Sequence, residues 1–282
     1  MGNFTAIDLS KLPAPKVIEE LSYEEIFQDI LSDFLEKNPT YSTLLESDPA
    51  MIMLEVCAYR ELLLRNRINE AAKATMLAYA TGSDLENLGA PLGVQKLEGE
   101  SDDQLRQRIQ LAPEAFTNAG SVGAYTFHAL SASSDIKSVS VKSPNPGEVL
   151  VTILSKTGNG VASEELIDAV LEKLSEEDVR PLTDQVSVQS AEIINYSVEA
   201  VITVYSGPSS AVVETEARAA LDKFLDERHA IEKLVAVSGI YDALHVDGVK
   251  KVQLIHPTED VVTTDEQAAY CNSKIISIVV DE

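Results

Sequence analysis

The chain contains no tryptophan, two cysteines, nine tyrosines and six phenylalanines in 282 residues, and each scarcity removes a class of function. Sugar sites lean on aromatic platforms, so so few aromatics disfavour a carbohydrate-reading adhesin or a glycosidase. Cys57 and Cys271 are far apart in no paired pattern, which fits two buried free thiols in a reducing compartment rather than a disulfide or a metal site. Positive charge is also scarce. Twenty-two Lys and Arg face 46 Asp and Glu, for a net charge of −24, so the surface as a whole repels phosphate and the expected partners include neither nucleic acid nor membrane. No apolar run approaches the roughly 20 residues that span a bilayer; Ile275-Ile276-Ser277-Ile278-Val279-Val280 is far too short. The amino terminus lacks a basic segment followed by an apolar one, and Ala6 stands where a myristoylation signal needs Ser or Thr. The chain is therefore expected to stay in the cytoplasm where it is made.

What is present is a folded composition, with 45% hydrophobic and 24% charged residues, enough for about two domains or three small ones. The expected class is α+β: a helical N-terminal domain with a long helix (1–117), a central α-β-β-α-β domain (118–190) and a C-terminal α/β domain (191–282), the latter two built from short mixed sheets packed with helices. In the first, Ser22 with Glu25 reads as a capping box ahead of the apolar series Ile26, Phe27, Ile30, Leu31, Phe34 and Leu35. Asp48 and Pro49 open a helix with no stop signal until about Gly82, some 30 residues or about 45 Å. Shorter helices are expected from Ser83, boxed with Glu86, and from Ser101, boxed with Gln104 and ending before Pro113.

Beyond Gly120 the periodicity changes. A helix capped by Ser121 runs to about Ser131, and period-2 alternation follows at Val139 and Val141 and at Val149, Val151 and Ile153, with a Ser143–Gly147 hairpin turn between. A helix over 163–174 and a strand at Val186 and Val188 complete this unit. The next has a strand at Val198–Val204, helices at 210–228 and 238–244, and strands at 249–254 and 275–280. The two units share a faint echo, each passing from a helix (121–130, 238–244) into a strand (from 136, from 249).

Catalytic signatures are missing. His128, His229, His245 and His256 form no ligand-spaced cluster, and the Asp242, His245, Asp247 group reads as surface or cap residues. Gly120-Ser121-Val122-Gly123 lacks the glycine of a nucleophile elbow, Gly158-Asn159-Gly160 reads as a turn, and no phosphate-binding glycine loop occurs. With so many acidic residues, adjacent carboxylates such as Asp102-Asp103 carry no specificity for hydrolysis. No cofactor is implied, and a non-enzymatic assembly role is favoured.

One stretch departs from the acidic background. Residues 51–80 carry a net +1, against −7 for residues 1–50. Two readings fit: a solvated helix face with pairs such as Glu61–Arg65, or a docking face for an acidic neighbour, including another copy of the chain. The interface candidates are Tyr59, Arg60, Arg65 and Arg67, since Arg pairs carboxylates bidentately at interfaces. Arg180-Pro181-Leu182-Thr183-Asp184 reads as a rigid turn with Arg180 and Asp184 paired across the bend, rather than as a recognition site.

A series of short segments occurs in order along the chain: Ile7-Asp8-Leu9 with Leu12-Pro13-Ala14-Pro15, Leu45-Glu46-Ser47-Asp48-Pro49, Ala58-Tyr59-Arg60-Glu61-Leu62 running into Arg65, Arg67 and Asn69-Glu70-Ala71-Ala72, and Gly82-Ser83-Asp84-Leu85. It continues through Glu100-Ser101-Asp102 with Leu105-Arg106-Gln107-Arg108-Ile109, Ala119-Gly120-Ser121-Val122-Gly123-Ala124-Tyr125, Ser143-Pro144-Asn145-Pro146 and Asp178-Val179-Arg180-Pro181-Leu182-Thr183-Asp184. On these segments the sequence resembles, nearly end to end, the baseplate assembly protein J family of contractile-tailed bacteriophages, whose relatives also occur in phage-tail-like bacteriocins. The resemblance implies a structural subunit of the baseplate wedge, without enzymatic activity or cofactor, that joins wedges around the central hub and takes part in triggering sheath contraction. The implied partners are another copy of itself, a wedge protein I-like subunit, and other baseplate, hub or sheath-initiator proteins. The implied location is the tail baseplate of a virion or tail-like particle, after synthesis in the host bacterial cytoplasm. Gly-containing links between its domains would supply hinges. The alternatives are a tail assembly factor absent from the mature particle and a carboxylate-dependent hydrolase.

Overall fold

A computed structural model describes residues 7, 9–13, 15–41, 44–117, 120–206 and 210–281. Ala6, and Asp8, Ala14 and Ala119 of the family-like segments, lie outside them. The class is α+β, with helices and two small three-stranded mixed sheets. The chain divides into two compact units, one up to Gln95 and one from Lys96 onward.

The first unit is helical. Helix α1 (Tyr23–Lys37) is capped by Ser22, whose hydroxyl accepts the Glu25 N–H; only this half of the expected box forms. Helix α2 (Pro49–Ala74) packs on α1, with Ile26 and Ala58 buried, and its 26 residues span about 39 Å. It ends eight residues short of Gly82 because its last turn tightens: the Thr75 and Met76 amides bond to the Ala72 and Lys73 carbonyls, and the Thr75 hydroxyl also takes the Ala72 carbonyl. Gly82, read from sequence as a stop, is instead the first residue of helix α3 (Gly82–Gly89), with φ +54° and Thr81 at the N-cap. The Ser83–Glu86 box does not form, since Ser83 already lies inside the helix.

The second unit opens with helix α4 (Asp102–Leu111), where Ser101 and Gln104 make the full reciprocal box. This helix packs on helix α5 (Val122–Ala132), capped by Ser121. Next come strands β1 (Ile136–Lys142) and β2 (Glu148–Ser155), joined by a turn with Gly147 at φ +83°, then helix α6 (Glu164–Leu174) and strand β3 (Gln185–Ser190). β2 is central, antiparallel to β1 and parallel to β3. Val151, Ile153, Ala129, Val170 and Leu174 form the core of this module and are fully buried.

The last module repeats the plan with another connectivity. Strand β4 (Glu192–Val204) leads to helices α7 (Ser210–Arg228) and α8 (Val237–Leu244), then strands β5 (Val249–His256) and β6 (Gln267–Val280). β4 is central, antiparallel to β5 and parallel to β6. Val198, Ala200, Ile202 and Val204 alternate inward against Ala217, Leu221, Ile240 and Leu244. The sequence echo thus has a structural counterpart: α5 feeds β1 and α8 feeds β5, each the antiparallel edge of its sheet. β6 is longer than the 275–280 expected because its first half, with Ala268 and Ala269 buried, does not show the alternation that marks a half-exposed strand.

Candidate functional site

Helix α2 has two unlike faces. At 100° per residue, Ala58 and Asn69 point one way, and both are buried. Asn69 locks that face: its amide oxygen accepts the Glu19 N–H at 3.1 Å and its amide nitrogen donates to the Glu19 carbonyl at 2.9 Å. On the side away from them run Ile52, Val56 and Leu63 along one line and Met53 and Leu64 along the next, with Tyr59 and Ile68 on the two flanks. All seven are exposed, Met53, Leu64 and Ile68 by more than 60%. A solvated helix face is polar; one that is apolar on both sides belongs against a second surface.

The four sequence candidates separate on this geometry. Arg60 and Arg67 lie on the outward face and Tyr59 on its flank; all three are exposed, and among the described residues neither arginine side chain makes a hydrogen bond or ion pair. Arg65 lies toward the packed face and is engaged within the unit, 2.6 Å from Glu61 and 3.8 Å from Glu19. The sequence reading singled out the charges and Tyr59 but missed Ile52, Met53, Val56, Leu63, Leu64 and Ile68. Projected down the axis of α2 these positions cluster away from Ala58 and Asn69, but only the folded chain shows that α1 covers the Ala58 side. Cys57 also differs from expectation, since it is exposed rather than buried. Cys271 is half-buried, and burial pushes its thiol up from the ordinary value.

The second family-like cluster is structural in its contacts. The Asp184 N–H bonds to the Pro181 carbonyl at 3.1 Å, closing the bend. Arg180 and Asp184 do not pair across it, contrary to expectation: Arg180 is exposed, and the Asp184 carboxylate accepts the buried Tyr125 hydroxyl at 2.9 Å instead. Burial and that carboxylate together raise the Tyr125 phenol well above its ordinary value. Gly120, at φ +67°, sits against the same turn, where a Cβ would come within 2.8 Å of Asp184 Oδ2 and 2.9 Å of Pro181 Cγ. The Gly120–Tyr125 and Arg180–Asp184 segments, 59 residues apart at Tyr125 and Asp184, therefore form one joint.

A buried ion pair was not foreseen. Arg108 Nη1 lies 2.9 and 2.8 Å from the two oxygens of Glu100, with side chains 5% and 1% exposed, and Arg108 Nε donates to Ser131 Oγ at 3.2 Å. It ties the start of the second unit to α5. Among the described residues no group of three His, Cys, Asp or Glu side chains is placed to hold a metal ion, and no helix is long and apolar enough to cross a membrane.

Comparison with known proteins gives matches along most of the chain. Residues 46–103 match the Baseplate J-like N-terminal domain, 117–190 the Baseplate J-like central domain, and 196–275 the Baseplate J-like protein C-terminal domain. The chain is 40% identical over 287 aligned positions to Baseplate protein J of Escherichia phage P2, covering 94% of this chain and 95% of that one. Among solved structures, the anti-feeding prophage (AFP) baseplate, 6-fold symmetrised, aligns with 89% of this chain and 53% of its own, at 11% identity and a TM-score of 0.33. The three family-domain matches and the 40% identity to the phage P2 protein show that the chain belongs to the baseplate J-like family.

Proposed function

We propose that this protein is a structural subunit of the baseplate of a contractile phage tail or tail-like particle. It joins wedges around the central hub and takes part in assembly and in triggering sheath contraction. One observation carries the assembly role: α2 turns Ile52, Met53, Val56, Leu63, Leu64 and Ile68 outward around Arg60 and Arg67, a surface suited to permanent cover by a partner. The partner is a second copy of the chain or a wedge protein I-like subunit, and other baseplate, hub or sheath-initiator proteins meet the α/β modules. Arg60 and Arg67 suit carboxylates on such a partner, and a chain with a net charge of −24 supplies them. No cofactor and no catalytic step is assigned. Family membership and the 40% identity to a baseplate protein support this reading.

Immunogold electron microscopy of purified tails with antibody to this chain tests it. Gold at the fibre-bearing end is the expected result. Unlabelled tails, with the protein also missing from them by mass spectrometry, would replace this reading with an assembly factor. Leu64→Asp with Ile68→Asp is expected to leave folding intact and reduce incorporation into tails by about tenfold or more.

A further inference from the structure

Two modules in one chain are free to swing unless the seam between them is well packed. Between the central and C-terminal modules there is no linker. β3 ends at Ser190 and β4 begins at Glu192, with only Ala191 between them. The Ala191 N–H donates to the Ile153 carbonyl at 2.8 Å, adding a rung to the β2–β3 ladder, and the next amide, Glu192, donates to the Glu266 carbonyl at 2.9 Å, where the β4–β6 pairing starts. Successive amides thus belong to two different sheets, and rotation at this point breaks one rung or the other.

The flanks of this shared strand are closed as well. Ala191 packs with Leu154, Ile231 and Ala268 in a small buried apolar cluster. On one side the Glu266 carboxylate of the C-terminal module accepts hydrogen bonds from Lys142 Nζ and, at 3.1 Å, from Gln189 Nε2, and Asp265 lies 3.7 Å from Lys142. On the other, Lys137 pairs with Asp226 at 2.5 Å and the Ile231 N–H donates to Ser138 Oγ at 3.3 Å. The His229 ring, held by the Ala269 carbonyl at 2.8 Å, fills the space above Gly160.

We infer that the central and C-terminal modules are one rigid body, joined by a strand that passes from one sheet into the other and clasped by Glu266 with Lys142 and Gln189. The glycine-containing links expected to act as hinges do not serve this boundary. On the baseplate reading, on which this consequence rests, plate opening carries the module pair as a unit and does not bend the chain at Ala191.

Hydrogen exchange on the full chain, in buffer and across a urea series, tests the inference without any particle, so its failure is separable from that of the assembly role. Amides at 190–193 are expected to exchange within about tenfold of the slowest amides in β2 and β4, and both modules should lose protection at one urea concentration. Exchange at 190–193 about a hundredfold faster than in both adjoining strands, or separate loss of protection by the two modules, would overturn it. Lys142→Ala with Glu266→Ala is expected to speed exchange at 190–193 by about tenfold while leaving α2 unchanged; no change there would overturn the clasp.

Discussion

Tyr125 and Asp184 meet through a 2.9 Å hydrogen bond that fastens the start of α5 to the turn ahead of β3. The phenol is buried while Asp184 is only half-buried. Tyr125→Phe removes a hydrogen bond to a charged group and leaves the ring packing in place, with an expected loss of about 1.5–3 kcal/mol. Urea denaturation should show a lower midpoint with an unchanged m-value. An unchanged midpoint would mean that water replaces the phenol at no cost.

Gly120 belongs to the same joint, and its backbone and its surroundings act together. An alanine there must adopt a left-handed conformation, costing about 1–2 kcal/mol, and its methyl group must displace Asp184 Oδ2 and Pro181 Cγ. Gly120→Ala is therefore expected to destabilise at least as much as Tyr125→Phe. Because both act on one contact, the double variant should lose less than the sum of the two.

The Glu100–Arg108 pair yields a sharper contrast. Both side chains are buried, so Glu100→Gln or Arg108→Met breaks the pair by removing one partner and is expected to cost about 3–5 kcal/mol. Replacing both, as Glu100→Leu with Arg108→Met, leaves neither partner behind and should recover most of that loss. Thermal unfolding of the two single variants and the double variant is the measurement; a double variant as unstable as either single one would show that the pair is not self-contained.

What could be read from the sequence divides along physical lines. Caps and turns whose signals lie within four residues were legible: Ser101 with Gln104, Ser121 and the Ser143–Gly147 turn stand where expected. The α2 terminus was not, because a tightened last turn at Thr75 carries no glycine or proline to announce it. Partners distant in sequence were also hidden. Asp184 had an apparent partner four residues away in Arg180, and only the folded chain brings Tyr125 to it. The outward face of α2 fell between these cases, since its residues are local but their exposure depends on which side α1 covers.

The arginines of α2 are expected to differ in what they affect. Arg65 makes an exposed ion pair within its own unit, so Arg65→Ala should cost at most about 1 kcal/mol of stability. Arg60→Glu and Arg67→Glu disturb no internal partner and should leave unfolding unchanged while reducing incorporation into tails. Complementation of a mutant lacking this protein, scored by assembled tails, separates these effects. If Arg60→Glu and Arg67→Glu both supported normal assembly, the cover on this face would be apolar contact alone.

Stability should also fall on mild acidification, through two histidines in the second unit. Burial lowers the His128 and His229 pKa values from the ordinary 6.5. Lys173 acts in the same direction on His128, opposed by Asp178 and Glu176; at His229 Lys137 lowers the value while the Ala269 carbonyl and Asp226 oppose it. The folded state therefore binds protons less readily than the unfolded chain, so these groups contribute stability above the unfolded value that is lost as pH falls toward the folded values. The urea midpoint is expected to decline from about pH 7.5 to about pH 5.5. Replacing His229 with Gln, which cannot take up the proton, should flatten part of that decline, and His128→Gln the remainder. A midpoint that stayed level through this range in the parent protein would mean that both rings accept a proton in the fold as easily as in water, and the tight seat of His229 against Gly160 argues against that.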